Sequence, residues 1–519
     1  MLLLLVGITF VFKGKVKKLN YYFYIRNQNM RTTFKFIIIF LLAAFTFQSC
    51  QDQDDVATPN NLEVNDFIWK GLNLYYLWQA DVPNLSDNKF ANQTELNTFL
   101  NGYSKPESLF ESLLYKPESL FPASEAVDRF SWIVDDYLEL EGQLQGTTNN
   151  NGVEFELDLK PNSSTELIGW VRYIIPGSDA STKDIKRGNI FYAVNGISLN
   201  TTNWRSLLFG SNNDYTLNMI DINGGVFIPN GKTVALTKTI LDENPILINK
   251  VIASGSHKIG YLMYNGFYSN YDNQLNDAFA TLKSQGITDL VLDLRYNGGG
   301  SVQTATRLAS MITGSFTGQV FAKQQFNSKL QSYFDANEPE SLKNLFTDKM
   351  GTTPINSVNM TKIYILTSAG TASASELVIN GLKPYISVVQ IGDVTVGKNV
   401  GSVTLYDSPT FGKENRNPNH RYAMQPLVLK IVNKDGFGDY QSGLVPSFLL
   451  KETLSSLDVL GSPTEPLLSL AIGKITGTTK MKQSVPGIQF EYFKDSKSIN
   501  GIRNQMYLEK APEGLLKSL

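Results

Sequence analysis

Runs typical of strands and runs typical of helices alternate along this chain from Lys258 onwards, and this alternation restricts the fold more than any other feature. Short apolar runs such as IGYLMYN, DLVLDLRY, KIYILTS and SVVQIGD are separated by longer runs with helical spacing, such as NQLNDAFATLKSQG and SVQTATRLASMITG. Parallel strands need crossover connections that are usually helices, so the alternation predicts an α/β sheet with parallel strands. We expect this domain, residues 250–476, to be the largest of the chain.

Two smaller regions precede this domain. Residues 65–145 carry aromatic and leucine residues at spacings of three and four, which predicts a small helical region. Residues 150–245 contain short strand-like runs such as VEFELDL and LIGWVRYII between Gly, Asn and Ser, which predicts a β-rich module. The hexapeptide KPESLF occurs twice, beginning at 105 and at 116, and indicates a local duplication. The sequence of the lysine-rich tail, residues 477–519, does not indicate a function for it.

The N-terminal segment has the layout of a secretory signal. Residues 30–50, MRTTFKFIIIFLLAAFTFQSC, begin with basic residues, continue with an apolar run and end in a small residue before Cys50. The apolar run is shorter than the ~20 residues that span a bilayer. The segment resembles a bacterial lipoprotein signal in which Cys50 is lipidated; an ordinary secretory signal is the alternative. Residues 1–29 are interpreted as an over-extended gene start, and residues 51–64 as an acidic linker.

The composition excludes several kinds of chemistry. The chain has one cysteine and two histidines, His257 and His420, which excludes an internal disulfide and a zinc site built from several Cys and His ligands. Both histidines lie in polar, loop-like contexts, so we expect them at the surface rather than in a Ser-His-acid triad. A net charge of -2 gives no electrostatic reason for binding nucleic acid. We therefore expect no metal, no cofactor and no nucleic-acid partner.

Three loops follow strands of the predicted sheet and should meet at one edge, because parallel strands end together. They are RYNGGGS after 289–294, TSAGTAS after 362–366 and GDVTVGK after 387–391. The glycine run of the first loop allows a close approach of the backbone, which an amide that stabilises an oxyanion requires. The third loop is close to a phosphate-binding loop, but Asn399 replaces the required Ser or Thr and no helical pattern follows. A nucleotide site is therefore the weakest of the alternatives.

Ser373 lies at the predicted start of a helix and has two interpretations. Ser373 and Glu376 are spaced as a capping box, which is a purely structural role. A serine hydroxyl becomes a nucleophile when a base accepts its proton, and a desolvated lysine with a lowered pKa can be that base. Lys398 returns to the same sheet edge, and the helix N-terminus at Ala374 would supply amide hydrogens for an oxyanion. The residues therefore permit a Ser-Lys dyad.

The segments DLRYNGGG, TASASE and VGK resemble those of the C-terminal processing (tail-specific) serine peptidases over roughly residues 150–475. The resemblance implies an α/β, crotonase-like protease core beside a PDZ-like domain. In that family the middle serine of the second motif is the nucleophile and the base lysine follows 25 positions later, which matches Ser373 and Lys398. The resemblance also implies further roles, namely an oxyanion hole at Ala374 and Gly299 or Gly300, a supporting Glu376, and a structural Ser375.

This chain departs from the family at the third catalytic position. Some relatives carry an aspartate eleven residues after the nucleophile, where this chain has Pro384, and others a glutamine four residues after the lysine, where it has Ser402. The residue that orients the lysine is therefore left open.

The β-rich module resembles the second half of a PDZ domain in the stretch IIPGSDASTKDIKRGNIFYAVNGISL. Such domains bind extended peptides or C-terminal carboxylates by strand addition. The resemblance implies a peptide-binding loop at Gly152, Val153, Glu154 and Phe155, while a spacer without a ligand remains the alternative.

Together these features predict a lipid-anchored serine endopeptidase of the bacterial cell envelope, either periplasmic or surface-exposed on the outer membrane. Its substrates would be polypeptides, cut through an acyl-enzyme on Ser373. The main alternative is a non-catalytic binding lipoprotein built on a crotonase-like core.

Overall fold

The computed structural model describes residues 58–478, 488, 490–498, 505–513 and 516. The chain divides into two compact units, and the larger one, residues 61–89 and 100–519, contains every site discussed below. In the smaller unit the rings of Phe90 and Phe99 lie 5.1 Å apart. The predicted signal segment, Cys50 and residues 51–57 of the predicted acidic linker lie outside the described residues.

The N-terminal region is helical, as its spacing predicts. Its α-helices are Glu63–Tyr75, Gln93–Leu100, Pro106–Ser112 and Tyr137–Gln143. The two copies of KPESLF adopt different structures: the first forms a helix, whereas Lys116 of the second has a φ of 46° and Pro117 forms a bridge with Asp128. Identical local sequences thus adopt different structures, because their tertiary surroundings differ. A short strand before the last of these helices, Trp132–Val134, pairs with Ala423–Gln425.

The β-rich module is an antiparallel sheet with one short helix, Trp204–Phe209. In spatial order its main strands are Glu491–Asp495, Val153–Leu159, Leu167–Ile174, Ile190–Val194, Asp214–Asn223 and Val226–Thr237. Buried apolar side chains, among them Phe155, Val171 and Leu217, form its core. The first strand in this order comes from the lysine-rich tail, far from the module in sequence.

A six-stranded sheet forms the centre of the largest domain and confirms the α/β prediction. Its strands, in order, are Ile246–Ser254, His257–Tyr264, Asp289–Asp293, Lys362–Thr367, Ser387–Gly392 and Phe448–Leu449. Only the first pair is antiparallel. The α-helices of this domain are Asp272–Ser284, Val302–Thr313, Ser328–Asn337, Ala374–Leu382 and Pro466–Thr476. Central strands are buried along nearly their whole length, which is typical of parallel strands covered on both faces.

A second six-stranded sheet was not predicted from the sequence. In order, its strands are Gly300–Ser301, Met506–Leu508, Val400–Val403, Leu427–Asn433, Val320–Phe326 and Lys343–Leu345. The tail strand Met506–Leu508 runs parallel to both of its neighbours. The tail therefore supplies one strand to this sheet and another to the β-rich module.

Arg295 ties the central sheet to the last helix of the domain. Its fully buried guanidinium donates to Asp293 at 2.8–3.0 Å, to Glu452 at 2.8 Å and to Glu465 at 2.7 and 3.0 Å. Glu465 also caps the helix Pro466–Thr476 by accepting from the amide of Leu468 at 2.9 Å. The network therefore holds the loop after one central strand against a helix from a distant part of the chain.

We predict that Arg295→Met lowers the free energy of unfolding by about 3–5 kcal/mol, because it leaves buried carboxylates without their shared cation. Denaturant titration followed by tryptophan fluorescence measures this change. Arg421→Met is the control, since Arg421 forms an ion pair at 3.2 Å with the half-exposed Asp136 and its loss should cost less than ~1 kcal/mol. Equal effects of the two substitutions would contradict the prediction.

Candidate active site

The three predicted loops meet at the carboxyl edge of the central sheet. Parallel pairing places Asp293, Leu366 and Ile391 side by side at the strand ends. The loops then contact each other directly: the amide of Ala372 donates to the carbonyl of Asn297 at 3.2 Å, and the amide of Val396 to Thr371 at 3.0 Å. Parallel pairing of the strands, which the alternating pattern predicts, therefore brings these loops to one edge.

Ser373 is fully buried directly before the helix Ala374–Leu382. Its φ of 66° is unusual for a residue with a side chain and costs about 1–3 kcal/mol, which the surrounding contacts must offset. Its backbone amide donates to Glu376 Oε2 at 2.7 Å, which is the carboxylate half of the predicted capping box. The other half of the box places Ser373 Oγ at the third amide of the helix, that of Glu376, but no hydrogen bond of Oγ meets normal distance and angle limits among the described residues. The hydroxyl is thus held in place by its backbone and remains unengaged.

Lys398 is fully buried, and its Nζ also has no hydrogen-bond partner in the part of the chain that the structure describes. Burial lowers the pKa of Lys398 to about 7; the negative charge of Asp128 opposes this shift, and the positive charge of Arg129 adds to it. The Nζ atom lies 4.8 Å from the centre of the Phe130 ring. A lysine with this pKa is partly neutral near pH 7 and can accept a proton.

Glu376 joins the loop of Ser373 to the loop of Lys398. Its Oε2 accepts from the amides of Ser373 at 2.7 Å and Lys398 at 2.8 Å. Its Oε1 accepts from the amide of Gly397 at 2.7 Å and from the hydroxyl of Thr395. Burial raises the pKa of Glu376, and these four donors oppose that rise. One buried carboxyl group thus fixes the positions of both candidate reactive groups.

The glycine loop lies against Ser373. Gly299 has a φ of 110°, and a Cβ at this position would lie 2.6 Å from Ser373 Cβ, 3.0 Å from the amide nitrogen of Ala374 and 2.2 Å from the carbonyl oxygen of Gln505. Only glycine fits such a space. The loop therefore needs its glycine for close approach to the serine, as the sequence predicts.

The amides of Gly299 and Gly300 already donate hydrogen bonds within the protein, whereas the oxyanion hole that the sequence suggests needs amides that donate to the substrate. The amide of Gly299 donates to Asn297 Oδ1 at 2.8 Å, and the amide of Gly300 donates to the carbonyl of Gln505 at 2.5 Å. The amide of Ala374, at the first position of its helix, has no acceptor within the helix. An oxyanion would therefore accept a hydrogen bond from the Ala374 amide directly. It would accept one from a glycine amide only by replacing the present acceptor of that amide.

Several residues of the site were not found from the sequence. Phe130 and Arg129 come from the helical N-terminal region, and Arg129 donates to the carbonyl of Gly397 at 3.0 Å. Gln505 comes from the tail; its carboxamide oxygen lies 3.4 Å from Ser402 Oγ. No motif marks these positions, because their contacts depend on parts of the chain that are distant in sequence. The hydroxyl of Ser375 donates to the carbonyl of Asn297 at 3.1 Å and thereby supports the glycine loop.

The predicted peptide-binding loop lies beside the tail. The amides of Gly152 and Val153 donate to the side chains of Asn150 and Asn151 at 2.8 and 3.1 Å. A cavity of about 600 Å³ is lined by this loop, including Val153, Glu154 and Phe155, and by the glycine loop, residues 298–300. Three of the predicted peptide-binding residues and both glycines of the predicted oxyanion hole therefore face one common space, whereas Gly152 and Ala374 do not line it.

His420 lies in a loop, as predicted, whereas His257 begins a strand. Both rings are partly buried rather than fully exposed, because each contacts a carboxylate: His257 Nδ1 lies 2.8 Å from Asp289 Oδ2, and His420 Nε2 lies 2.9 Å from Asp407 Oδ2. Among the described residues, no group of three or more His, Cys, Asp and Glu side chains could hold a metal ion. Within the same residues, no helix has the length and apolar character needed to cross a membrane.

These features together define a candidate serine hydrolase centre: a buried serine before a helix, a buried lysine with a pKa near neutrality, and a carboxylate that fixes both. The chain matches Peptidase family S41 over residues 258–408 and the Peptidase S41 N-terminal domain over residues 63–132. Ser373, Lys398 and the glycine loop all lie within the first of these matches, so the candidate centre resembles that of a serine-type peptidase.

Individual proteins of known class are also similar to this chain. The chain is 22% identical over 345 residues to the carboxyl-terminal-processing protease of Synechocystis sp., with 65% of this chain and 72% of that protein covered. It is 25% identical over 296 residues to the chloroplastic C-terminal processing peptidase of Tetradesmus obliquus, with 53% and 59% covered. The crystal structure of a putative S41 protease from Bacteroides fragilis has the same fold, with a TM-score of 0.59, 24% identity, and 80% of this chain and 98% of that chain covered.

We predict that Gly299→Ala lowers kcat on an unfolded polypeptide by at least ~100-fold, because the added methyl group would displace Ser373 or the Ala374 amide. Gly436→Ala is the matched control: Gly436 also has a positive φ, of 86°, but a Cβ there meets nothing within 4 Å. Initial rates, with circular dichroism to verify folding, measure the effect. A Gly299→Ala enzyme with activity close to that of the wild type would contradict this account.

We predict that kcat/KM rises with pH through about 7, because protonated Lys398 cannot accept the proton of Ser373 and the neutral form becomes dominant above its pKa. Arg129→Gln should move the midpoint to higher pH, since the positive charge of Arg129 helps to lower that pKa. Arg421→Gln, at an exposed position, is the control and should leave the midpoint unchanged. A wild-type profile that is flat between pH 6 and ~9 would exclude Lys398 as the base.

Proposed function

We propose that this protein is a serine endopeptidase of the C-terminal processing type, with Ser373 as nucleophile and Lys398 as general base. The observation that supports this most strongly is the buried pair of reactive groups, each without a hydrogen-bond partner among the described residues, on two loops held together by Glu376. A buried lysine amine without a partner is costly to keep in a protein core. Base catalysis provides a reason for its presence.

The reaction would begin when Lys398 Nζ accepts the proton of Ser373 and Oγ attacks the carbonyl carbon of the scissile peptide bond. The oxygen of the tetrahedral intermediate would accept a hydrogen bond from the Ala374 amide, at the positive end of its helix. The Lys398 ammonium would then give its proton to the leaving amine. A water molecule, deprotonated by Lys398, would hydrolyse the acyl-enzyme and restore Ser373.

The second oxyanion donor would come from the glycine loop. Gly299 is the better candidate by position, because its Cα lies against Ser373 and Ala374. Its amide would exchange the side-chain oxygen of Asn297 for the substrate oxygen. The exchange requires the buried Asn297 side chain, whose amide nitrogen donates to the carbonyl of Tyr264 at 2.8 Å, to move away from the Gly299 amide.

The proposed substrates are unfolded or extended polypeptides at the cell envelope. The cavity between the β-rich module and the glycine loop supports a substrate that contacts both. We interpret the β-rich module as PDZ-like, and we propose that Cys50 carries the lipid that anchors the enzyme, on the strength of the signal layout around it. The same cavity would also suit a binding lipoprotein without hydrolytic activity, which is the alternative.

We predict that Ser373→Ala and Lys398→Met each reduce cleavage of casein by at least ~1,000-fold, since each removes one member of a group that acts as a unit. The controls are Ser332→Ala and Lys413→Met, which change an exposed serine and an exposed lysine. Casein hydrolysis is followed by gel electrophoresis and mass spectrometry. Unchanged cleavage in either dyad variant would exclude the dyad, and an inactive wild-type protein that binds casein would favour the binding lipoprotein.

A further inference from the structure

The tail of the chain occupies an edge of the β-rich module. Residues Glu491–Asp495 pair antiparallel with the strand Val153–Leu159, with Glu491 opposite Leu159 and Asp495 opposite Glu156. This is strand addition, the mode by which many modules bind extended peptides. The segment also contacts the predicted peptide-binding loop, because the hydroxyl of Ser496 donates to Glu154 at 2.6 Å and accepts from the amide of Phe155 at 3.1 Å.

Three side chains of the tail, two on the added strand and one in the 3-10 turn Ser496–Ser498 that follows it, contact three chemically different sites. The ring of Phe493 lies 5.6 Å from Trp204 and packs on the core of the module. The carboxylate of Asp495 accepts from the guanidinium of Arg172 at 2.7 Å, in a buried ion pair. The ammonium of Lys497 lies 3.2 Å from Glu243 and donates to the carbonyl of Asn265 at 3.2 Å. We name residues 491–497 the resident segment.

The sites that hold the resident segment are supported by contacts of their own. Arg172 is also paired with Glu156, and Glu243 accepts from the hydroxyl of Tyr173 at 2.7 Å. Trp204 packs edge-on against Phe209 with their rings 6.1 Å apart. Each site therefore keeps a partner when the resident segment leaves. A preformed site of this kind can exchange one peptide for another.

The site suits an internal stretch of polypeptide rather than a chain terminus. The amides of Gly152 and Val153, which a terminal carboxylate would need, already donate to asparagine side chains. The resident segment itself is followed by further residues, up to Gln505 and the strand Met506–Leu508 beside the glycine loop.

An open polar site adjoins the resident segment. The side chain of Asn265 is buried, and neither its amide nitrogen nor its oxygen has a hydrogen-bond partner among the described residues. Asn265 and Lys497 both line the cavity of about 600 Å³ that reaches the glycine loop. Buried unpaired polar atoms are expensive unless a ligand or water satisfies them. A peptide that follows this cavity would provide backbone groups for Asn265.

We propose that this edge of the β-rich module is a recognition site for polypeptides with an aromatic and an acidic side chain on an added strand and a basic side chain in the turn that follows it, and that the resident segment occupies it in cis. The part of this inference that concerns substrates rests on the proposed function, whereas the binding itself does not. An occupant that belongs to the same chain competes with free peptides at a high effective concentration, which is in the mM range when the connection is short and flexible. Substrates with the same pattern would displace it, and other polypeptides would be excluded.

The test is a binding measurement on the full chain carrying Ser373→Ala, so that no probe is consumed. The probe is a fluorescein-labelled peptide, FEYFKDSK, with the sequence of residues 490–497. Asp495→Lys, which places a positive charge against Arg172, should release the resident segment and strengthen probe binding at least tenfold over the parent protein. Lys497→Glu, which places a carboxylate against Glu243, is a second and milder variant in case Asp495→Lys does not fold.

The control is Lys494→Glu, a charge reversal on the exposed face of the same strand, which should leave probe binding unchanged. A second probe with lysine in place of its aspartate should bind the released variant at least tenfold more weakly than the first. The proposal is overturned if the probe binds the parent and released proteins equally, or binds neither. Because these proteins lack Ser373, the outcome is independent of whether the enzyme cleaves peptides.

An activity measurement then tests the consequence for substrates. With Ser373 restored, Lys497→Glu should lower KM at least threefold for a peptide that contains the pattern and leave kcat unchanged. A tail with a structural role alone would lower kcat or stability and would not lower KM. Peptides that carry the pattern in scrambled order should show no change in KM.

Discussion

The site depends on one buried carboxyl group, that of Glu376. It accepts hydrogen bonds from two amides at Oε2 and from an amide and a hydroxyl at Oε1. A charge buried in this way costs several kcal/mol, and hydrogen bonds to a charged group return about 1.5–3 kcal/mol each. Four donors are therefore enough to hold the group in the core. In return, the loops of Ser373 and Lys398 have little freedom to move apart.

The same arrangement explains how Ser373 can be both a helix cap and a candidate nucleophile. Capping places its backbone amide on Glu376, while the unusual φ of 66° turns the residue so that Oγ is left without a partner among the described residues. Lys398 is arranged in the same way: its backbone amide donates to Glu376, and its amine has no hydrogen-bond partner among the described residues. In both residues the backbone forms the hydrogen bonds that hold the loops, and the polar side-chain atom has no partner among the described residues.

Much of this site could be predicted from local sequence, and the failures have a common cause. Strand alternation predicted which loops would meet, and the spacing of Ser373 and Glu376 predicted the helix start. The contributions of Phe130 and Gln505 could not be predicted, because they depend on contacts between distant segments. The copies of KPESLF make the same point: only one is helical, since identical residues meet different neighbours. The tail strands carry no alternating apolar pattern of their own.

The strand Met506–Leu508 also gives the chain an order of assembly. It lies between the glycine loop and the strand after Lys398, and Gln505 contacts Ser402 across a separation of 103 residues. Domains generally fold as they emerge during synthesis, from the N-terminal side onwards. The central sheet can therefore form while the glycine loop still lacks its neighbouring strand. The candidate site would thus be completed only when the tail strand is added, after the central sheet that positions its loops has formed.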